Sequence, residues 1–567
     1  MMAASLPYHE PGIVTILVQT SFLLLLNVAN FVLNHGLYCG LLGQIFIGVA
    51  WGTPGAKWLS TEVEEVVIQL GYLGLLLLVY EGGLSTSLKA LKANLFLSSG
   101  IAITGISLPM GLSFVLQKLS GATPLQSFAS GAALCSTSLG TTFTVLRSTG
   151  LMKSRLGVVL TSAAMMDDVV GLVMVQIISN LGSSSTSISA ITVVRPLLVS
   201  IAFTVCAPLV CVFVAKPVTL WLNSQRIKHP LGVLDRLLNQ RGTPWIIHTS
   251  ILIGCIAGST YAGTSNLFAA YIAGASISWW DSEVSRPALE TTVTETTTPA
   301  PVQDMAFESS EADNTNSHEN VAQESMRLGS SGLLIFEQYY LQPLDRILKP
   351  FFFASIGFSI PISEMFHGSI VWKGIVYTTL MMIGKLLCGI WLLRISITPL
   401  LPPKCLAVVK HPKLHVAHFW GRFHEKPTVS RNSTSAHPNQ SEISSPTPPS
   451  SQETATQTTR PHHSPAGAKP RSIYPASIIG CAMTARGEIG FLISSIAESK
   501  RIFSSTEAND GKSSEIFLIV TWAIMLCTVI GPLSLGLTVR RVKQLQQGVE
   551  RQGRLVQQDV LGVWGVS

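Results

Sequence analysis

Charge is what this sequence has least of. Only 12% of its 567 residues are Asp, Glu, Lys or Arg, while 47% are hydrophobic and the mean hydropathy is +0.42. Soluble domains carry about 25% charged residues, so this composition excludes an ordinary soluble domain and points to a polytopic helical membrane protein. The nine cysteines have neither metal-ligand spacing nor a paired framework, and almost all lie in apolar segments. They read as small buried hydrophobes rather than disulfides. No nucleophile–base arrangement and no phosphate loop appears, which sets aside soluble-type enzyme chemistry. Residues 1–11 have no basic n-region, so the apolar stretch that follows is expected to span rather than to act as a secretory leader. A metal-sensing role for His411, His415, His418 and His424 is disfavoured, because Pro412 breaks the helix that would align the first two and no cysteine joins them.

What the sequence does have is long apolar runs. Windows of about 20 residues predict about thirteen spans. They cover 12–33, 38–54, 65–83, 94–117, 125–146, 156–180, 190–220, 244–262, 265–280, 347–363, 370–395, 473–497 and 514–538. With the N-terminus outside, 29 of the 38 lysines and arginines fall on the inner side and seven on the outer, leaving Lys385 and Arg486 within spans. The positive-inside rule therefore predicts an extracytosolic N-terminus and a cytosolic C-terminus.

The chain divides accordingly. Residues 1–280 form a first transmembrane half and 281–332 an acidic cytosolic loop. Residues 333–397 carry the tenth and eleventh spans, and 398–471 form a basic Ser/Thr/Pro/His-rich cytosolic loop. Residues 472–540 carry the last two spans, and 541–567 form a cytosolic tail. Both loops have too little apolar surface to bury and are expected to be disordered. The segment 405–423, basic with interspersed Leu, Val, Phe and Trp, is suited to lie on the inner leaflet. Asn432-Ser433-Thr434 matches a glycosylation acceptor, but on the cytosolic side it would go unused.

Against this apolar background a few ionisable residues stand out. Asp167 and Asp168 are adjacent near the middle of the sixth span. One carboxylate at the bilayer centre costs roughly 2.5–3.5 kcal/mol on insertion scales, and such residues mark ion or proton paths. Lys385 in the eleventh span is the simplest counter-charge for one of the two, leaving the other carboxylate free for a cation or a proton. Arg486 and Glu488 lie in the twelfth span on either side of Gly487. Two residues apart they do not face each other on an ideal helix, so a locally unwound backbone held by this charge pair is the simplest reading.

The fifth span packs glycine and hydroxyl residues around Ser136-Thr137-Ser138. Such residues weaken a helix interior and hydrogen-bond freed backbone groups. Discontinuous helices meeting at the midplane are how many secondary transporters build ion sites. The fifth and twelfth spans are both glycine-interrupted, as expected for an inverted repeat of spans four to six against eleven to thirteen.

These residues resemble the monovalent cation:proton antiporter-2 family, in particular its NapA-type sodium/hydrogen exchangers. The resemblance is carried by Ser136-Thr137-Ser138-Leu139-Gly140-Thr141-Thr142, by residues 163–172 around Asp167-Asp168, by residues 350–358, by Lys385, and by Arg486-Gly487-Glu488-Ile489-Gly490. Residues 43–48 and 267–274 also fit, so it covers nearly all the spans in order; the long loops lie outside it.

The resemblance implies an all-α, inverted-repeat antiporter fold of about thirteen helices with two discontinuous crossing helices, assembled as a homodimer with a panel domain and a moving core domain. It implies that Asp168 carries cation and proton, and that Asp167 exchanges Lys385 for the ion. Thr137, with Ser138 and nearby carbonyls, would supply ligands, while Arg486 and Glu488 support the crossing. It further implies no cofactor beyond transported Na⁺ or K⁺ and H⁺, no nucleic-acid partner, and electrogenic exchange of two protons per cation. One departure is Ser85, where many relatives have an acid; whether Glu81 replaces it stays open. So do the choice among Na⁺, K⁺ and Li⁺, the membrane that holds the protein, and the rival reading of a proton-coupled carrier for a small organic solute.

Overall fold

Every predicted span overlaps helix among the described residues, the twelfth as two separate helices, and among these residues there is no β-strand. The structure, a computed structural model, describes residues 10–37, 39–138, 146, 151, 154–182, 190–228, 236, 242–283, 331–393, 473–504, 513–551, 561 and 564. The two predicted long loops lie outside these residues apart from the helical ends 281–283 and 331–332. Asn432, the histidines at 411–424 and the second part of the fifth span short of Leu146 also lie outside them. Nine helices among the described residues are long and apolar enough to cross a membrane.

The elements in order are α1 (Ile13–Leu37), α2 (Gly40–Trp51), α3 (Thr61–Leu84) and α4 (Leu88–Leu112, continued by short turns to Ser120). Then come α5 (Pro124–Cys135), α6 (Arg155–Leu181), α7 (Ala190–Val210, continued to Lys228), α8 (Thr243–Ala262) and α9 (Asn266–Glu283). The remainder are α10 (Gly332–Tyr339), α11 (Lys349–Phe358), α12 (Gly368–Leu386), α13 (Tyr474–Thr484), α14 (Glu488–Ser499) and α15 (Glu515–Arg551). Two differ from expectation in length. The tenth span is preceded by helical turns from Gly332 onward, and α15 runs thirteen residues past the predicted end of the last span at 538, into what was read as tail.

Local chemistry sets several of the starts. At α5, Thr123 accepts from Gln126 N at 3.3 Å while Gln126 Oε1 accepts from Thr123 N at 2.8 Å, a reciprocal capping box with Pro124 at the first helical position. Gln126 Nε2 also donates to Phe503 O at 2.9 Å, tying the start of α5 to the end of the α14 segment. Ser154 caps α6 through Gly157 N at 3.2 Å.

The helices pack in two groups. In one, α1 lies on α2, α2 and α3 on α11, and α3 and α8 on α9. In the other, α4 packs along α6 and α5, α12 along α4, α13 and α15, and α14 along α5 and α6. Helix α7 touches both groups, through α6 and α9. In the second group α4 pairs with α6 as α12 pairs with α15, each pair flanking an interrupted helix, which is the pattern of an inverted repeat. Two side-chain ties fasten α12 and its continuation to α4: Tyr377 OH lies 2.8 Å from Ser113 Oγ, and Trp391 Nε1 donates to Thr104 Oγ1 at 2.8 Å.

Where backbones touch, glycine makes it feasible. A β-carbon on Gly274 of α9 would lie 2.8 Å from Leu84 N and 3.0 Å from the carbonyl carbon of Gly83 on α3. Without a hydrophobic drive between helices in lipid, this close backbone packing holds the pair. Gly274→Leu is therefore expected to cost about 1–3 kcal/mol by overpacking and to lower the melting temperature in detergent. Gly254→Leu on α8, where a β-carbon meets nothing within 4 Å, is the control and should melt like the parent. Equal melting of the two variants would show that the α3–α9 contact yields freely.

Candidate ion-binding site

Two helices stop short in the middle of the second group. Helix α5 ends at Cys135, and Ser136 turns to extended backbone with φ −68° and ψ 147°. Its hydroxyl neighbours compete with the backbone for hydrogen bonds, which favours the end of a helix over its interior. Helix α13 ends at Thr484, and three residues, Ala485, Arg486 and Gly487, separate it from α14. Gly487 belongs there because a β-carbon on it would come within 2.6 Å of Ser138 Oγ.

The two breaks satisfy each other's loose backbone groups. Ser138 N donates to Ala485 O at 3.0 Å, and Arg486 Nη1 donates to the carbonyl of Ser136. Thr137 Oγ1 lies 3.2 Å from Met483 O, and Ser138 Oγ donates to Glu488 Oε2 at 3.3 Å. From α15, Thr528 Oγ1 reaches Arg486 O at 3.0 Å. Buried peptide groups without helical partners are thus paired across the crossing, as an apolar surrounding requires.

Onto this crossing α6 presents its two aspartates. Consecutive residues on an α-helix point about 100° apart, so the pair meets different company. Asp167 is fully buried, and its Oδ2 receives Lys385 Nζ at 2.8 Å and Thr137 Oγ1 at 2.5 Å. Lys385, also fully buried near the end of α12, donates further to Cys135 O at 2.5 Å and to Thr137 Oγ1 at 3.0 Å. All three ammonium hydrogens thus have acceptors.

Asp168 is held more loosely. Its Oδ1 accepts from Ser136 Oγ at 3.0 Å, the residue is buried with 7% exposure, and Glu488 and Asp167 are its like-charged neighbours. Asp167 Oδ1 is buried without a hydrogen-bond partner among the described residues. The cluster thus holds a buried Asp168 carboxylate bonded by the Ser136 hydroxyl and an Asp167 Oδ1 that accepts no hydrogen bond among the described residues. With every group ionised, Asp167, Asp168 and Glu488 outnumber Lys385 and Arg486 by one negative charge. One monovalent cation or one proton balances it. Among the described residues no group of three or more His, Cys, Asp or Glu is placed to hold a metal ion.

All seven residues singled out from the sequence, Asp167, Asp168, Thr137, Ser138, Lys385, Arg486 and Glu488, come together here. One pairing differs from expectation. Arg486 and Glu488 form no ion pair among the described residues; each turns to the broken end of α5, one to the Ser136 carbonyl and the other to the Ser138 hydroxyl. The break separates them, since extended backbone at Gly487 sends the two side chains different ways. Ser138, expected among the ion ligands, donates to Glu488. Ser136, which binds Asp168, was legible only as part of the hydroxyl motif. The carbonyls of Cys135 and Met483 carry no side-chain signal at all. Glu81 sits half-buried on α3.

Removing one partner of a buried ion pair strands the other, at a cost of about 3–5 kcal/mol. Lys385→Ala should therefore lower the melting temperature in detergent markedly, and adding Asp167→Asn to it should recover most of the loss. A Lys385→Ala protein that melts like the parent would show that the pair is not a structural constraint.

Sequence comparison places these features in context. Residues 23–298 match the family of sodium/hydrogen exchanger transmembrane domains. The chain is 27% identical over 242 residues to a probable Na(+)/H(+) antiporter, GerT, of Bacillus cereus, covering 42% of this chain and 58% of that protein. It is 30% identical over 152 residues to the Na(+)/H(+)-K(+) antiporter GerN of the same organism, covering 27% of this chain and 39% of that one. The matched stretches thus span less than two thirds of either relative. The solved sodium proton antiporter MjNhaP1 of Methanocaldococcus jannaschii aligns with a TM-score of 0.47 at 10% identity, over 93% of this chain and 99% of that chain. The chain is thus similar, over residues 23–298, to the transmembrane domain of sodium/hydrogen exchangers and, over shorter stretches, to these cation/proton antiporters.

Proposed function

We propose that the protein exchanges a monovalent cation, Na⁺ or K⁺, for protons across its membrane, with Asp168 as the carrier and Asp167 as the carboxylate that Lys385 guards. The observation that carries this reading is the asymmetry of the pair. Asp167 is tied to an ammonium at 2.8 Å, while the adjacent Asp168 keeps one hydroxyl bond and residual exposure. A site with one surplus negative charge cannot be left bare in an apolar interior. It holds a cation or a proton, and the two ions compete for it. Both ions are named because one relative's name gives Na⁺ and another's gives K⁺ as well.

A cavity about two turns further along α6 fits this reading. It has a volume of about 360 Å³ and lies between α3, α6, α9 and α14. Its lining includes Val175 and Gln176, seven and eight residues beyond Asp168 on α6, together with Ser265 and Asn266. Neutral polar walls of this kind let a partly hydrated cation approach without trapping it. In the orientation given by the positive-inside rule the cavity opens to the extracytosolic side. Access would alternate as the group of helices carrying the crossing moves against the other group. Release of Lys385 from Asp167 when the cation arrives would couple a second protonation and make exchange electrogenic. The working unit is a homodimer on this reading.

Asp168→Asn should abolish cation-driven dissipation of a proton gradient in proteoliposomes, while the variant folds and melts like the parent. Exchange retained in that variant would remove Asp168 from the role. A folded parent that answers neither Na⁺, Li⁺ nor K⁺ would instead favour a proton-coupled organic carrier.

A further inference from the structure

Resting on the antiport reading, we propose that α4 provides the second seat of the Lys385 ammonium: the bare face at Gly105, with the backbone carbonyl that Pro109 deprives of its helical donor.

In the described geometry each hydrogen of the ammonium is engaged, by Asp167 Oδ2, Thr137 Oγ1 and Cys135 O. A cation that takes Asp167 removes the strongest of these acceptors. An ammonium that is fully buried cannot turn to water, and leaving it short of an acceptor is costly. Exchange therefore requires another acceptor within a side-chain rotation of the first.

Helix α4 passes directly beside the ammonium. A β-carbon on Gly105 would lie 3.3 Å from Lys385 Nζ, and 3.2 Å from both Cys388 Sγ and Met483 Cε. A β-carbon there would press on the ends of these three side chains, and with glycine at 105 Lys385 faces backbone instead. Pro109 lies inside the same helix. In an α-helix the N–H of residue i serves the carbonyl of residue i−4, and proline has no N–H. The carbonyl that loses its donor is that of Gly105, the residue whose open face fronts the ammonium. Buried carbonyls are seldom left without donors, and one freed of its helical donor is able to accept from a nearby ammonium.

The surroundings keep this seat in reach. Ser113 Oγ donates to Pro109 O at 2.7 Å and meets Tyr377 OH at 2.8 Å, while Trp391 Nε1 binds Thr104 Oγ1 at 2.8 Å. These ties join α4 to the lysine helix on both sides of Lys385, so donor and second acceptor travel together when the group moves. Gly105 and Pro109 are positioning residues on this account: they act on the cation only through Lys385.

The test is the cation dependence of exchange in proteoliposomes for the parent, Pro109→Ala, Pro109→Gly and Gly105→Ala, with melting temperatures measured alongside. Alanine and glycine at 109 both return an N–H to the Gly105 carbonyl, although they differ in helix propensity. Both should raise the half-saturating cation concentration about tenfold, the weight of one hydrogen bond to a charged group, with the maximal rate retained. Gly105→Ala, whose methyl occupies the face itself, should raise it as well. A kink serving only as a mechanical joint would instead split alanine from glycine and change the maximal rate. Half-saturation unchanged in both Pro109 variants, or a lost maximal rate at unchanged half-saturation, overturns the proposal. So does parental half-saturation in Gly105→Ala, should the proline variants fail to fold. A parent without exchange sinks the antiport reading itself; an active parent with indifferent variants sinks only the seat.

Discussion

A fully buried ammonium bonded to a fully buried carboxylate, Lys385 to Asp167 at 2.8 Å, is the constraint around which the second helix group is arranged. Coulomb attraction offsets the desolvation of such a pair only when further hydrogen bonds complete it. An intact helix has no spare carbonyls to give. Helix α5 therefore stops at Cys135, whose carbonyl completes the lysine, and the hydroxyl of Thr137 completes both lysine and aspartate. Breaking a helix in an apolar interior then exposes peptide groups of its own. A second break, at Ala485–Gly487, crosses the first and satisfies them, and α15 closes the remainder through Thr528. The charge pair, the two breaks and the crossing form one arrangement, joined by these hydrogen bonds.

The same constraint separates the roles of two chemically identical neighbours. Helical geometry turns Asp167 and Asp168 about 100° apart. One falls against the lysine and the broken end of α5. The other falls beside Ser136 and Glu488 with some exposure left. The lysine is bonded to one carboxylate and not to the next, and the proposed exchange at Asp168 rests on that difference. The Gly105 face of α4 extends this logic, since a lysine able to leave its carboxylate needs somewhere to go.

Much of this was legible in the sequence because cost makes residues conspicuous. Asp167, Asp168, Lys385, Arg486 and Glu488 are rare charges in apolar segments, and each lies in the cluster. Thr137 and Ser138 were marked by a run of hydroxyls and glycine that no stable helix interior favours. The spans followed from hydropathy over about 20 residues, although α15 continues past its apolar stretch, because an amphipathic extension lacks the signal that hydropathy detects. The expected Arg486–Glu488 pair was a reading of spacing alone, and the backbone at Gly487 redirected both side chains.

The sequence by itself determined that this chain is a helical membrane protein, which segments are apolar enough to span, and which side chains are costly to place there. Hydrophobicity and charge are local properties, carried by each residue wherever the chain goes, so they are readable without coordinates. The tertiary structure decided which aspartate the lysine holds, which serine serves the other, and which backbone carbonyls join them. Those are matters of a few ångströms between elements up to 350 residues apart in the chain, as with Arg486 and the Ser136 carbonyl. A carbonyl is common to every residue, so only the crossing of two broken helices could single out those of Cys135, Ser136 and Met483.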